Sequence, residues 1–464
     1  MKIFRRKTIE ATLQEAKNKS LKKTLGAFDL VLLGIGCTIG TGIFVLTGVA
    51  AADHAGPAVA VSYLISAIAC MFAGLAYTEL AAAMPVAGGA YTYSYAIIGE
   101  FVAWLVGCGL VLEYTVGAST VAAGWSGYFV GILKSGGIIL PESLTKVPTD
   151  GGTINLPAVI IAILVGLLLT KGTKESVILN RVLVAVKLIV IFLFIYVAAP
   201  HVKIENWTND FMPFGWHGVV AGAATVFFAY IGFDAVATAA EETKNPDRDL
   251  PIGIIGSLTI SSLLYVAVAL ALTGITNYSE LGNAEPMAYA LRQNGSNIGS
   301  ALVATGAIAG MVAVLLVLMY GQSRIFFVMS RDGLIPKAFS KMHPKFETPY
   351  ISCLFVTIAV ATIAGFTPIH TLGHMTSFGT LFAFVIAAIS MVILRKQRPD
   401  LDRPFKCPTY IFVAIGAVSI CGYLIYTLLG IIADAFFVWA FLSLLFYFLY
   451  SYRKSPLNKI KSSK

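Results

Sequence analysis

Four glycines, Gly34, Gly36, Gly40 and Gly42, crowd the stretch Leu33–Phe44, Leu-Gly-Ile-Gly-Cys-Thr-Ile-Gly-Thr-Gly-Ile-Phe, with Thr38, Ile39, Thr41 and Ile43 between them. Each interior glycine costs a helix roughly 1 kcal/mol relative to alanine, and the β-branched neighbours add to the strain. The stretch lies inside the apolar run 27–52, long enough to cross a bilayer at roughly 20 residues per span. A helix opening at that depth frees backbone groups that lipid cannot satisfy, so a binding site is expected there. Amides at the start of its second half, near Thr41, Gly42 and Ile43, present a positive dipole end suited to a carboxylate. Carbonyls ending the first half, near Ile39, suit an ammonium group, and Gly40 and Gly42 let a ligand approach the backbone.

The same anomaly recurs at Ala223-Ala-Thr-Val-Phe-Phe-Ala-Tyr-Ile-Gly-Phe-Asp-Ala-Val236. Gly232 and Asp234 interrupt the apolar pattern, and the carbonyls of Phe228, Ala229 and Ile231 become candidate ammonium acceptors. A zwitterionic α-amino acid supplies both charges. Asp234 is expected to cap the second half-helix. Two further ionisable residues fall within apolar spans, where each is costly and calls for a partner or a water-lined site. Lys187 lies about 12 Å deep at 1.5 Å per residue, a long reach for snorkelling. Glu113, in Leu110-Val-Leu-Glu-Tyr-Thr, lies near midplane and suits either a substrate amine or a proton relay; its type and position leave both open. Glu79, Glu241 and Glu242 sit near span ends and are expected to make interfacial or gate contacts.

These residues need elements to hold them. The chain has 464 residues, 57% hydrophobic and 12% charged, with mean hydropathy +0.81, which excludes an ordinary soluble domain. Hydropathy predicts an all-α polytopic membrane protein with twelve transmembrane helices at 27–52, 57–83, 99–130, 155–170, 179–199, 217–240, 251–273, 297–323, 350–366, 374–394, 409–429 and 433–452. With the N-terminus inside, the inner segments carry 28 of the Lys and Arg residues and the outer ones four, Lys134, Lys146, Lys203 and Arg292. That asymmetry predicts cytoplasmic N- and C-termini and a multi-pass protein of the cell membrane. The net charge of +9 is spent at span ends, so no nucleic-acid partner is expected. Met1–Ser20 lacks the apolar core of a cleavable signal. Thr8–Lys23 is expected to lie along the membrane lipid headgroups, the loop Lys134–Asn155 to be irregular, and Ser323–Pro349 to stay outside the membrane.

Spans one and six run in opposite directions with breaks at matching depths, which points to a five-plus-five inverted repeat. The domain reading is a cytoplasmic segment 1–26, spans one to five at 27–199, spans six to ten at 217–394, spans eleven and twelve at 409–452, and a cytoplasmic tail 453–464. His370 and His374 lack an acidic third ligand, so no metal site is expected. The six cysteines are scattered without metal or disulfide spacing and read as small packing residues. Gly34-x-Gly36-x-x-x-Gly40 has one residue too many for a dinucleotide fingerprint and no βαβ context. No cofactor is expected and no enzyme chemistry is visible.

The Gly-Ile-Gly-Cys-Thr-Ile-Gly-Thr-Gly-Ile-Phe motif, the Phe-Phe-Ala-Tyr-Ile-Gly-Phe-Asp segment and the following Glu-Glu-Thr-Lys-Asn-Pro resemble the amino acid–polyamine–organocation superfamily, in its cationic amino acid transporter branch with bacterial relatives. The resemblance covers essentially the whole chain and implies alternating-access amino acid transport. By it, Thr41 and Gly42 hold the carboxylate, and the carbonyls of Ile39, Phe228 and Ile231 the amino group. Lys187 matches a lysine that in proton-coupled relatives replaces sodium, so a proton is the expected coupling ion. Twelve spans depart from the fourteen common in animal members. If span eight lines the side-chain pocket as in the family, Leu318 shortens and dries it, and spans eight and ten carry no acid. Small or apolar neutral L-amino acids such as alanine are therefore the expected substrates of a symporter. The alternatives are a carrier or exchanger of arginine and lysine, kept alive by Glu113, and more remotely a non-transporting amino acid sensor. The sequence names no protein partner.

Overall fold

The computed structural model describes residues 5–10, 24–86, 88–171, 177–239, 243–346 and 348–457. Among them the chain is helical, with a lone bridge between Leu25 and Thr243. Short turns apart, the helices are α1 Ala27–Thr38, α2 Thr47–Ala50, α3 Val59–Ala83, α4 Gly89–Ile97, α5 Glu100–Val111, α6 Gly117–Ser135, α7 Leu156–Lys171 and α8 Val177–Ala198. The second half continues with α9 Gly215–Val226, α10 Ala235–Thr238, α11 Pro246–Ile275, α12 Pro286–Gln293, α13 Asn297–Arg331, α14 Tyr350–Phe366, α15 Ile369–Gln397 and α16 Tyr410–Phe446. Seven described helical stretches are long and apolar enough to cross a membrane, and α1, α7 and α14 are shorter apolar helices.

Two of the seven long stretches fold back on themselves. Gly42–Ala83 reverses at Gly56, whose φ of 60° is open to glycine and strained for other residues. Beyond it the Tyr63 hydroxyl returns to Thr47 at 2.7 Å. Tyr410–Lys454 leaves helical geometry at Ile432 (φ −118°, ψ 20°). Its two ends meet the same face of the bundle: the Arg395 guanidinium stacks on the Tyr410 ring and that of Arg5 on Tyr452, while Arg6 donates to Gln397 at 2.7 Å.

That face is bound by ion pairs. Glu79, fully buried on α3, accepts from Arg395 Nε at 2.7 Å and Nη2 at 2.5 Å, and from the Cys407 amide at 2.8 Å. The expected interfacial contact is thus a buried lock between α3 and the end of α15. Glu241 and Glu242 lie outside the described residues. Residues 5–10 pack onto the same face through Arg5–Glu100 at 3.0 Å and Arg398–Glu10 at 2.5 Å, so the start of the segment expected on headgroups is seated on protein; 11–23 lie outside the described residues. The loop after α6 is irregular, with 3-10 turns at Glu142–Leu144 and Pro148–Asp150. By contrast α13 continues to Arg331, carrying helix eight residues beyond the 297–323 span.

Candidate functional site

α1 ends where the glycines begin. The Ile39 amide still closes on the Ile35 carbonyl at 3.0 Å, but Ile39 itself is extended (φ −75°, ψ 102°) and the helical ladder stops. Thr38 turns its hydroxyl back onto the Gly34 carbonyl at 3.0 Å and meets Ser261 on α11 at 3.1 Å. Helix resumes as a π-turn, Gly42–Leu46, a form found mostly as short bulges and frequently at functional sites. Ile43 and Phe44 both donate to the Gly40 carbonyl at 3.2 Å. The Ile43 amide, expected to be open to a carboxylate, is therefore engaged. The amides of Thr41 and Gly42 stand in the first turn, where no intrahelical carbonyl precedes them.

The second break mirrors the first. α9 tightens into a 3-10 turn, Phe227–Tyr230, and Ile231 is extended (φ −62°, ψ 135°). Gly232 follows at φ 105° against Cys37. The two breaks touch: a Cβ on Gly42 would overlap the Ala229 backbone, so glycine at 42 is what lets the chains cross. The Ala229 carbonyl, expected to be open to an ammonium, accepts the Tyr265 hydroxyl at 2.7 Å. That of Phe228 accepts the Ile231 amide at 3.2 Å. Asp234 occupies the N-cap position of α10, yet its side chain makes no capping bond. The Tyr114 hydroxyl reaches it instead, at 3.4 Å. The capping role expected for Asp234 is thereby corrected.

Between the breaks lies a closed cavity of about 10 Å³, at most the room of one water molecule. Cys37, Thr38, Gly40 and Thr41 line it from the first break, Phe228 and Ile231 from the second, and Val314 and Leu318 from α13. Thr41 is fully buried and its hydroxyl has no hydrogen-bond partner. Leu318, expected in a side-chain pocket, lines this cavity. Val314, which sequence reasoning does not single out, lines it too; its signal is helical spacing, four residues before Leu318 on the same face.

Lys187 and Glu113 stand outside the cavity wall. Lys187, 1% exposed, lays its stem across Gly310 and donates from Nζ to the Gly36 carbonyl at 2.6 Å. Glu113, also 1% exposed, sits in a second π-turn, Leu112–Val116, one turn from Gly117, which faces Leu318 and Phe228. Its carboxyl makes no close hydrogen bond, and the Thr380 hydroxyl stands near it. At the other end of α15, His374 meets Thr225 at 2.9 Å and the His54 ring; no metal-binding group of three residues occurs among the described residues.

Residues 25–451 match the family described as amino acid permease. The chain is 45% identical over 463 residues to the branched-chain amino acid permease BcaP of Bacillus subtilis, covering 98% of this chain and 99% of that protein. It is 44% identical over 459 residues to the methylthioribose transporter of the same organism, with the same coverage. With the chloroplastic cationic amino acid transporter 9 of Arabidopsis thaliana it shares 39% over 409 residues, 85% of this chain and 71% of that one. Two interrupted helices meeting at a buried cavity, in a chain that matches permeases from end to end, make it a membrane transporter and not an enzyme: it belongs to the amino acid permease family of the amino acid–polyamine–organocation superfamily.

Proposed function

We propose that this chain is a secondary active symporter that moves small or apolar neutral L-amino acids, alanine among them, together with protons by alternating access. The observation that carries the reading is the contact of the two breaks at Gly42 and Ala229 beside a cavity walled by Thr41, Ile231 and Leu318. In this reading the Thr41 hydroxyl and the Thr41 and Gly42 amides take the carboxylate. The carbonyls of Ile39 and Ile231 take the ammonium, with Phe228 beside them; Ile43 and Ala229 shape the backbone around the ligand. Leu318 and Val314 meet the side chain. The name of the Bacillus branched-chain permease supports apolar substrates.

Twelve crossings are supported by the fold-backs at Gly56 and Ile432, which split two long stretches into four. Spans one to five (27–199) and six to ten (217–394) form the inverted halves, supported by breaks at 39–41 and 231–234; spans eleven and twelve (409–452) stand outside them. The 28-to-4 charge asymmetry supports cytoplasmic termini, 1–26 and 453–464, in the cell membrane. Lys187 on Gly36 supports a proton, in preference to sodium, as coupling ion.

A second reading, a carrier of arginine and lysine, draws on Glu113 and Asp234 one turn beyond the cavity and on the names of the plant relatives. Uptake of labelled alanine into proteoliposomes under an imposed pH gradient, with and without sodium, tests transport and coupling together. Alanine accumulation that ignores the pH gradient refutes the coupling, and arginine competing far more strongly than alanine refutes the specificity.

A further inference from the structure

Val314 and Leu318 line the cavity from α13, and Gln322 is the next residue on that face, four positions or about 6 Å further along. α13 runs antiparallel to the helix through Glu113. Gly117 faces Leu318, and Gly321 faces the Tyr114 ring, which sets Gln322 level with Glu113. Gln322 is fully buried, and neither its amide nitrogen nor its carbonyl oxygen has a hydrogen-bond partner. At the same level the Glu113 carboxyl has the Thr380 hydroxyl near it but makes no close hydrogen bond, and the Tyr77 hydroxyl is unpartnered. Tyr77 lies within the fields of Glu113 and Asp234. A buried polar group without a partner costs about 1–3 kcal/mol. A carboxamide and a phenol left so in the neighbourhood of a buried carboxyl are not packing residues.

We propose that Gln322, with Glu113 and Tyr77, forms a distal polar subsite beyond Leu318 for the end of a neutral substrate that both donates and accepts hydrogen bonds, a hydroxyl or a carboxamide. The donor and acceptor inventory selects this class. Gln322 offers two N–H donors and a carbonyl, and Glu113, buried with no counter-charge against it among the described residues, holds its proton and so offers a donor beside its acceptors. An ammonium or guanidinium has no acceptor for the Gln322 N–H groups, and an alkyl end satisfies none of the three residues. A hydroxyl or carboxamide serves both partners. Leu318 stands between cavity and subsite, so an alanine-sized side chain stops short of it and a chain of glutamine length reaches it. The inference rests on the amino acid backbone sitting at the two breaks, as proposed above.

L-Glutamine and L-methionine have similar length and differ in carboxamide against thioether, and their ratio of affinities is the readout. It is taken from thermal stabilisation of the purified full-length protein in detergent and from competition with labelled alanine in proteoliposomes. Gln322→Met removes the amide at constant length and is expected to weaken glutamine about tenfold relative to methionine. Gln322→Asn, which keeps a shorter amide, falls in between and guards against a misfolded Met variant. A wild-type protein that binds methionine but not glutamine, or a ratio that stays within about threefold in both variants, overturns the subsite. Failure of the transport reading appears separately, as an absence of alanine accumulation by the wild type, while thermal stabilisation still tests the subsite.

Discussion

The Lys187 ammonium donates to the Gly36 carbonyl at 2.6 Å, and that carbonyl is the first one the broken helix leaves without a partner. In an unbroken helix the Gly40 amide would fill it, but Ile39 is extended and Gly40 has turned away. The charge on one helix therefore completes the backbone of another at the point where it opens. A charge-assisted bond of this kind is worth about 1.5–3 kcal/mol. Lys187→Ala is expected to lower pH-gradient-driven alanine uptake about ten- to hundredfold while sparing alanine exchange at equal pH. Full proton-driven uptake by the variant would remove Lys187 from the coupling.

Gly42→Ala places a methyl group into the Ala229 backbone. Overpacking at such a contact costs about 1–3 kcal/mol, and here it also pushes the two breaks apart. The variant is expected to melt earlier than wild type and to lose alanine uptake. Circular dichroism melts and uptake, measured on one preparation, check both.

Thr41→Val keeps the shape of the side chain and removes a buried hydroxyl that has no partner in the closed cavity. Stability is expected to hold or rise. Alanine binding is expected to weaken about tenfold, the worth of one hydrogen bond to a carboxylate. An unchanged KM for alanine would take Thr41 out of the carboxylate site.

Leu318→Ala enlarges the side-chain end of a cavity that now holds about 10 Å³. Larger apolar substrates such as phenylalanine are expected to gain about tenfold in competition relative to alanine, the scale of one or two buried methylenes. A competition series of graded side-chain volume measures the shift.

Glu79→Gln leaves Arg395 facing a neutral amide at the lock between α3 and α15. Breaking a buried pair costs about 3–5 kcal/mol, and Arg395 keeps enough exposure to bring this to about 2–4 kcal/mol. A thermal melt in detergent shows the loss, and Glu79→Gln combined with Arg395→Met is expected to recover part of it.

Acid should release the N-terminal segment from the bundle. A backbone hydrogen bond within its own segment and the Arg398 guanidinium hold Glu10 below the usual carboxylate range, and Arg398 does the same for Asp400. Carboxyls lowered in the folded state stabilise it above their ordinary values, and that stabilisation is lost as pH falls through the lowered ones. Protection of the amides at residues 5–10, taken relative to the intrinsic exchange rate at each pH, is expected to fall between about pH 5 and pH 3 and to stay flat from pH 6 to 8.

Much of this protein was legible in its residues one at a time. Apolar runs bounded by charge called for a helical membrane bundle because lipid accepts little else. Glycines at 34–42 and Gly232 marked the breaks because their intrinsic cost acts locally, whatever surrounds them. Lys187 and Leu318 announced themselves as a charge inside lipid and a bulky residue mid-span. Which polar groups are engaged was decided only by tertiary packing. Tyr265, from a helix with no visible anomaly, claims the Ala229 carbonyl; Gly40 claims the Ile43 amide; Tyr114 draws Asp234 away from capping. Gln322 reads in sequence as an ordinary polar residue near the end of its span. Its burial without a partner, level with Glu113, follows from the antiparallel register of two helices 200 residues apart, a relation no local pattern encodes.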